Sequence, residues 1–120
     1  MKKLVICLLM MVVAAMTASA QLSESQVNIL KNAAEQGDAE AQGILGDYYF
    51  MSDDIKQAVN WWKKGAEKGD ANSQYRMGLM YESGKGVAKD HKQARYWWEK
   101  AAAQDKDIAK QGLKMLEDSK

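Results

Sequence analysis

The sequence contains no proline, one histidine, one phenylalanine and one cysteine among 120 residues. Cys7 lies in the leading apolar stretch, so the chain beyond it offers no thiol for a disulfide, a Cys-ligated metal or a nucleophile. His91 has no second histidine or cysteine to join it in a transition-metal site. An excess of one charge is missing too. Lys and Arg number 17 and Asp and Glu 16; without Lys2 and Lys3 the remainder has 15 basic and 16 acidic residues. Such a balance argues against a dedicated nucleic-acid binder or a polybasic membrane-surface protein. With no proline and an abundance of Ala, Lys, Glu and Met, the chain is expected to be all-α.

The only long apolar run is at the start. Met1-Lys2-Lys3 is a short basic segment, and Leu4 to Met16 is thirteen apolar residues. That is short of the ~18–20 residues a membrane span requires. Ala18-Ser19-Ala20 is a small-x-small cleavage site. Residues 1–20 therefore read as a cleaved export signal, with the mature chain starting at Gln21 and residing in the periplasm or outside the cell. No second apolar run follows, so no membrane insertion is expected after cleavage.

What the remainder does contain is a repeat. Ala34-Glu35-Gln36-Gly37-Asp38-Ala39 recurs as Ala66-Glu67-Lys68-Gly69-Asp70-Ala71 at an offset of 32, where Gln42, Gly46 and Tyr49 also match Gln74, Gly78 and Tyr81. Asp54-Ile55-Lys56-Gln57-Ala58 and Trp61-Trp62 match Asp90-His91-Lys92-Gln93-Ala94 and Trp97-Trp98 at an offset of 36. The first copy lacks four residues in the loop where the second has Gly84-Lys85-Gly86-Val87. A period of this length indicates stacked helix pairs. Asp38, Asp54, Asp70 and Asp90 suit N-caps, Ser23-x-x-Gln26 a capping box, and Gly37, Gly69 and Gly84 helix stops. Helices are expected near 23–36, 39–51, 54–68, 71–83, 90–103 and 106–118. This divides the chain into the signal at 1–20, an N-terminal half-repeat cap helix at 21–38, repeat 1 at 39–70, repeat 2 at 71–105 and a C-terminal capping helix at 106–120. Lys114 falls where the repeats have Gly78, and a lysine there blocks the close approach of another helix.

Leu45-Gly46-x-x-Tyr49 and Met77-Gly78-x-x-Tyr81 on the first helix, Gly84-x-Gly86-Val87-x-x-Asp90 in the loop, and Lys56-Gln57-Ala58-x-x-Trp61-Trp62 with Lys92-Gln93-Ala94-x-x-Trp97-Trp98 on the second resemble the Sel-1-like repeat family. The resemblance spans roughly residues 26–116. It implies a short right-handed α-solenoid of antiparallel helix pairs, tetratricopeptide-like, with about six helices. Gly46 and Gly78 would let two helices approach closely. Ala58, Trp62 and Ala66, and likewise Ala94, Trp98 and Ala102, form core stripes at i, i+4 and i+8. Neighbouring Trp side chains point about 100° apart, so one ring of each pair is expected inside its own repeat and one against the next.

Enzymatic readings find little support. No Ser-His-Asp, His-Glu-x-x-His or Ser-x-x-Lys pattern occurs beyond the signal. His91 reads as a first-turn residue after the Asp90 cap. Gly84-Lys85-Gly86 lacks phosphate-loop spacing and reads as the repeat's turn. Asp53-Asp54 and the Asp105/Asp107 pair lack the alternating oxygens of a calcium loop and read as caps. No catalytic, cofactor-binding or metal residue is assigned, and no cofactor is expected.

The family resemblance implies that the first helix of each pair lines a concave groove. Carried over by alignment, the partner-binding face holds Asp47, Phe50, Asn72, Tyr75, Leu79, Glu82 and Met115, with Glu40, Gly43, Ile108 and Gln111 beside them. Phe50, Tyr75, Leu79 and Met115 form an apolar strip; Asp47 and Glu82 are acids with no base next to them on their helix. Such a strip suits a protein or peptide carrying aliphatic and basic groups. It is either open or partly covered by the capping helices; the sequence is compatible with both. The expectation is a non-enzymatic exported adaptor or regulatory scaffold, monomeric, without nucleic acid. The alternatives are an immunity or inhibitor protein against a secreted toxin and, further off, a small cell-wall-ligand binder or hydrolase.

Overall fold

The structure, a computed structural model, describes residues 22–104 and 106–119. The export signal read over 1–20 lies outside them, as does Asp105. Six α-helices follow in order: α1 (Glu24–Glu35), α2 (Ala39–Met51), α3 (Ile55–Glu67), α4 (Ala71–Ser83), α5 (His91–Ala102) and α6 (Asp107–Asp118). Among the described residues there is no strand, and no helix is long and apolar enough to cross a membrane.

The helix starts follow from the cap residues. Ser23 accepts from the Gln26 backbone while Gln26 Oε1 accepts from the Ser23 N–H, a closed capping box. The carboxylates of Asp38, Asp54, Asp70 and Asp90 accept backbone N–H groups of the first turns of α2, α3, α4 and α5. Each satisfies donors that have no partner inside the helix. Lys106, the N-cap of α6, makes no side-chain cap bond, and Asp107, expected as a cap, lies in the first turn instead. Gly37 and Gly69 turn the chain between repeats at φ +95° and +101°, where a side chain is strained. The shortened loop of the first copy has no glycine to do this, and Asp53 takes φ +62° instead.

Packing proceeds along the chain. α2 pairs with α3 and α4 with α5; α3 packs on α4, α1 on α2 and α5 on α6. α2 also touches α4 directly, so the first helices of the pairs form one layer and the second helices the other. The molecule is elongated, 46 × 27 × 27 Å. This is the expected short all-α solenoid.

Three apolar clusters line up along it. Leu30, Ala34, Ala41 and Leu45 join α1 to α2. Ala58, Val59, Trp62, Ala66, Met77, Met80 and Trp97 join α3, α4 and α5. Ala94, Trp98, Ala101, Ala109 and Leu116 join α5 to α6. Gly46 and Gly78 lie under Trp62 and Trp98, where a Cβ on either glycine would overlap the indole. Trp62 thus contacts its own α2 and shares a cluster with α4. Trp61 instead packs against the α1–α2 cluster, and Trp97 packs into the cluster containing α3. The expected division of the rings is corrected by this arrangement. The second ring of each pair spans its own repeat and the next, and the first ring faces the preceding unit, because that unit lies on the other side of the same helix.

Candidate partner-binding face

α2, α4 and α6 carry the seven residues expected at the groove. Asp47 stands one turn before the end of α2, half-buried, and its Oδ1 accepts from Trp62 Nε1 at 3.1 Å and from Arg76 Nε at 3.1 Å. Arg76 belongs to α4, so this ion pair ties two repeats together. Its guanidinium lies 5.8 Å from the Trp62 ring centroid and 5.9 Å from that of Tyr75. Asp47 lacks a base on its own helix, as its sequence suggests, but meets one from the next repeat. Burial pushes its carboxyl above the ordinary range, opposed by Arg76 and by the Trp62 hydrogen bond.

Phe50 is half-buried, with its ring centroid 5.4 Å from that of Trp62. Lys85, from the loop after α4, places Nζ 4.9 Å from the Phe50 centroid. Tyr75 and Leu79 are half-buried and pack against the α5–α6 cluster; Leu79 also touches the central one. Glu82 is half-buried near the end of α4, and Asn72 is exposed in its first turn. Met115 on α6 is 60% exposed. The structure therefore joins Phe50, Trp62, Asp47, Arg76 and Tyr75 into one contiguous row across two repeats. Asn72, Glu82 and Met115 are not linked to that row by a hydrogen bond or ion pair.

Arg76 and Lys85 escape sequence reading. The repeat aligns Asp47 with Leu79, and Arg76 lies one turn before Leu79. Adjacent first helices bring a residue near the one 29 positions on, so an acid–base pair at that separation is the signal that marks the bridge. At the edge of the same face burial, Asp70 and Asp38 raise the Glu40 carboxyl above its ordinary value. Among the described residues no three histidine, cysteine or carboxylate side chains converge as a metal site.

The chain matches the family described as Sel1 repeat over residues 39–70 and 71–106. Solved structures similar to it include three Sel1-type folds. A Sel1 repeat protein from Oxalobacter formigenes is 42% identical over 66% of this chain and 63% of that one, with a TM-score of 0.61. A protective antigen present in uropathogenic Escherichia coli strains, displaying an SLR fold, is 39% identical over 82% of this chain and 22% of that one, with a TM-score of 0.72. The cysteine rich protein B of Helicobacter pylori is 25% identical over 80% of this chain and 76% of that one, with a TM-score of 0.70. The chain spans less than two thirds of the length of the first two. No curated protein matches it.

Proposed function

The chain belongs to the Sel1 repeat family, and from that premise we infer that it is an exported, non-catalytic protein that binds a protein or peptide along the face of α2, α4 and α6. Sel1 repeats typically serve as protein-interaction scaffolds. The observation that carries the reading is the row Phe50–Trp62–Asp47–Arg76–Tyr75, in which the half-exposed Phe50 and Tyr75 flank a charge pair on two adjacent helices, with the buried Trp62 beneath them. Rigid aromatics of this kind supply contact area at little entropic cost, and charges at their edge set orientation. Leu79 and Met115 extend the apolar part, and Glu40 and Glu82 offer acids to a basic partner. Export to the periplasm or beyond rests on the basic, apolar and small-x-small order of residues 1–20.

Tyr75 and Leu79 also support the core, so their truncation would confound binding with stability. The test therefore uses exposed positions. A photo-crosslinking side chain placed at Asn72 or Met115 should capture one and the same partner in the cell envelope, and one at Glu24 on α1 should not. Asn72→Arg combined with Met115→Arg should abolish that capture at unchanged melting temperature. Equal capture from Glu24, or capture undisturbed by the double substitution, would refute the proposed face.

A further inference from the structure

The two layers of the solenoid carry opposite charge. On α2 and α4, with their Asp38 and Asp70 caps, the charged side chains are Glu40, Asp47 and Glu82 and a single base, Arg76, already paired with Asp47. On α3 and α5, with their Asp54 and Asp90 caps, they are Lys56, Lys63, Lys64, Lys92, Arg95 and Lys100 against Glu67 and Glu99, still an excess of base. The excess is periodic. Lys56 and Lys92 are equivalent at offset 36, and so are Lys64 and Lys100. Lys64 Nζ sits 4.6 Å from the Trp61 ring centroid, and Lys100 Nζ 5.1 Å from that of Tyr96. A cation held over an aromatic face keeps its charge while losing freedom, which lowers the entropic cost of meeting an anion. None of Lys56, Lys63, Lys64, Lys92 and Lys100 is in an ion pair with a described carboxylate. On α3, Gln57, Asn60, Trp61, Lys63, Lys64 and Glu67 frame a shallow groove.

We propose that the outward face of α3 and α5 is a second binding surface, for an acidic protein segment whose Asp and Glu side chains meet Lys63, Lys64, Lys92 and Lys100. Charge complementarity selects this occupant. A lipid surface asks for protruding apolar side chains as well, and the only large one standing exposed on these two helices is Tyr96. Binding here is independent of the opposite layer, so the two faces can join two partners.

The experiment is fluorescence anisotropy of a labelled short Asp/Glu-only peptide with the purified full chain. Vesicles of phosphatidylglycerol and phosphatidylcholine, and sedimentation of the protein alone, run alongside. The peptide should bind and weaken steeply with salt. Lys63→Glu with Lys64→Glu, and Lys92→Glu with Lys100→Glu, should each weaken it about tenfold or more. Lys89→Glu with Lys114→Glu removes the same charge elsewhere and should leave binding unchanged. All these side chains are exposed, and circular dichroism verifies folding; the neutral Lys63→Gln with Lys64→Gln variant should show an intermediate loss. No binding at low salt, equal loss in the Lys89/Lys114 variant, vesicle binding that the peptide cannot displace, or self-association abolished by the reversals would each overturn the proposal.

Discussion

Trp62 and Trp98 occupy equivalent places in consecutive repeats, and each indole N–H reaches the same backbone position. Trp62 donates to the carbonyl of Gly43 and Trp98 to that of Tyr75, both at 3.1 Å, and residues 43 and 75 correspond at offset 32. Both rings lie on the equivalent glycines Gly46 and Gly78. Their remaining surroundings differ. Around Trp62 stand the Asp47 carboxylate and the Arg76 guanidinium; the residues equivalent to them around Trp98 are Leu79 and Gly112. Gly112 is buried, and a Cβ there would come within 2.8 Å of the Trp98 ring, so α6 lies flat on the indole. The shared part is what a stacked helix pair needs: a large ring, a small residue under it and a carbonyl for its N–H. The variable part decides whether the junction is sealed or left polar and half-open. Sealing belongs at the C-terminal junction, and the polar junction sits in the middle of the candidate face.

Removing the rings should have the largest effect and should separate the two junctions. Trp98→Ala is expected to cost about 3–5 kcal/mol, and Trp62→Ala the lower end of that range. Both rings are almost wholly buried, but Arg76 and Phe50 can settle into the space left by Trp62, whereas α6 has only Gly112 to offer. Urea denaturation with a constant m-value measures both. Equal costs would mean that the polar neighbours do not relax.

Moving the acid should come next. Leu79→Asp places a carboxylate where the second repeat has no arginine opposite, and is expected to destabilise by about 2–3 kcal/mol through lost packing and an unpaired charge. A neutral result would show that Asp47 does not depend on its partner from the next repeat either, and that Arg76 serves the face rather than the fold.

The common frame is legible in the sequence because it depends on residues whose physics is local or periodic. Asp38, Asp54, Asp70 and Asp90 announce helix starts, Gly37 and Gly69 the turns, and the offset of 32 to 36 the stacking. The polar junction is illegible for a different reason. Asp47 and Arg76 are 29 residues apart and do not recur, so repetition gives no hint of them. Lys85 over Phe50 depends on how the Gly84–Lys89 loop folds back. The roles of Trp61 and Trp97 are ambiguous because a helix wheel shows which way a ring points but not which neighbour lies there. On the candidate face, the alignment selects side chains that lie together on α2, α4 and α6. Exposure divides them into Asn72 and Met115, which are open, and Phe50, Tyr75 and Leu79, which also support the core.

A second inequality lies at the turns. Gln42 and Gln74 are buried and donate through Nε2 to Ala34 and Ala66 carbonyls, which end the preceding helices. Gln104 Nε2 then bonds both the Gly69 carbonyl and Gln74 Oε1, each at 2.9 Å. Its equivalent in the first repeat is Lys68, whose Nζ bonds the Gly37 carbonyl at 2.8 Å and leaves the buried Gln42 Oε1 without a partner. Lys68→Gln should supply both bonds from one amide and stabilise the protein by about 1 kcal/mol, with Gln104→Lys losing a similar amount. A shift in denaturation midpoint of opposite sign in the two variants is the expected result.

The smallest effect should come from Asp47→Asn. Asparagine retains the oxygen that accepts from Trp62 and Arg76 but has no charge to bury. The carboxyl of Asp47 is raised above its ordinary value of 3.8 chiefly by burial, with Arg76 and Trp62 only partly offsetting that. The folded chain then holds this proton more tightly than the unfolded chain does. Stability contributed by this group rises as pH falls through its folded value towards 3.8, and is lost as pH climbs back to neutrality, where the charged form must be buried. At neutral pH the asparagine variant should therefore match or slightly exceed the parent, by less than about 1 kcal/mol, since the ion pair is partly solvent-exposed. Melting curves of both proteins from neutrality down to acid should converge as Asp47 takes up its proton. Arg76 then keeps its place over Trp62 in either form, and the charge of Asp47 is left for a partner rather than for the fold. A clear loss of stability in the variant at neutral pH would reverse that assignment and make the ion pair a clamp between the two repeats.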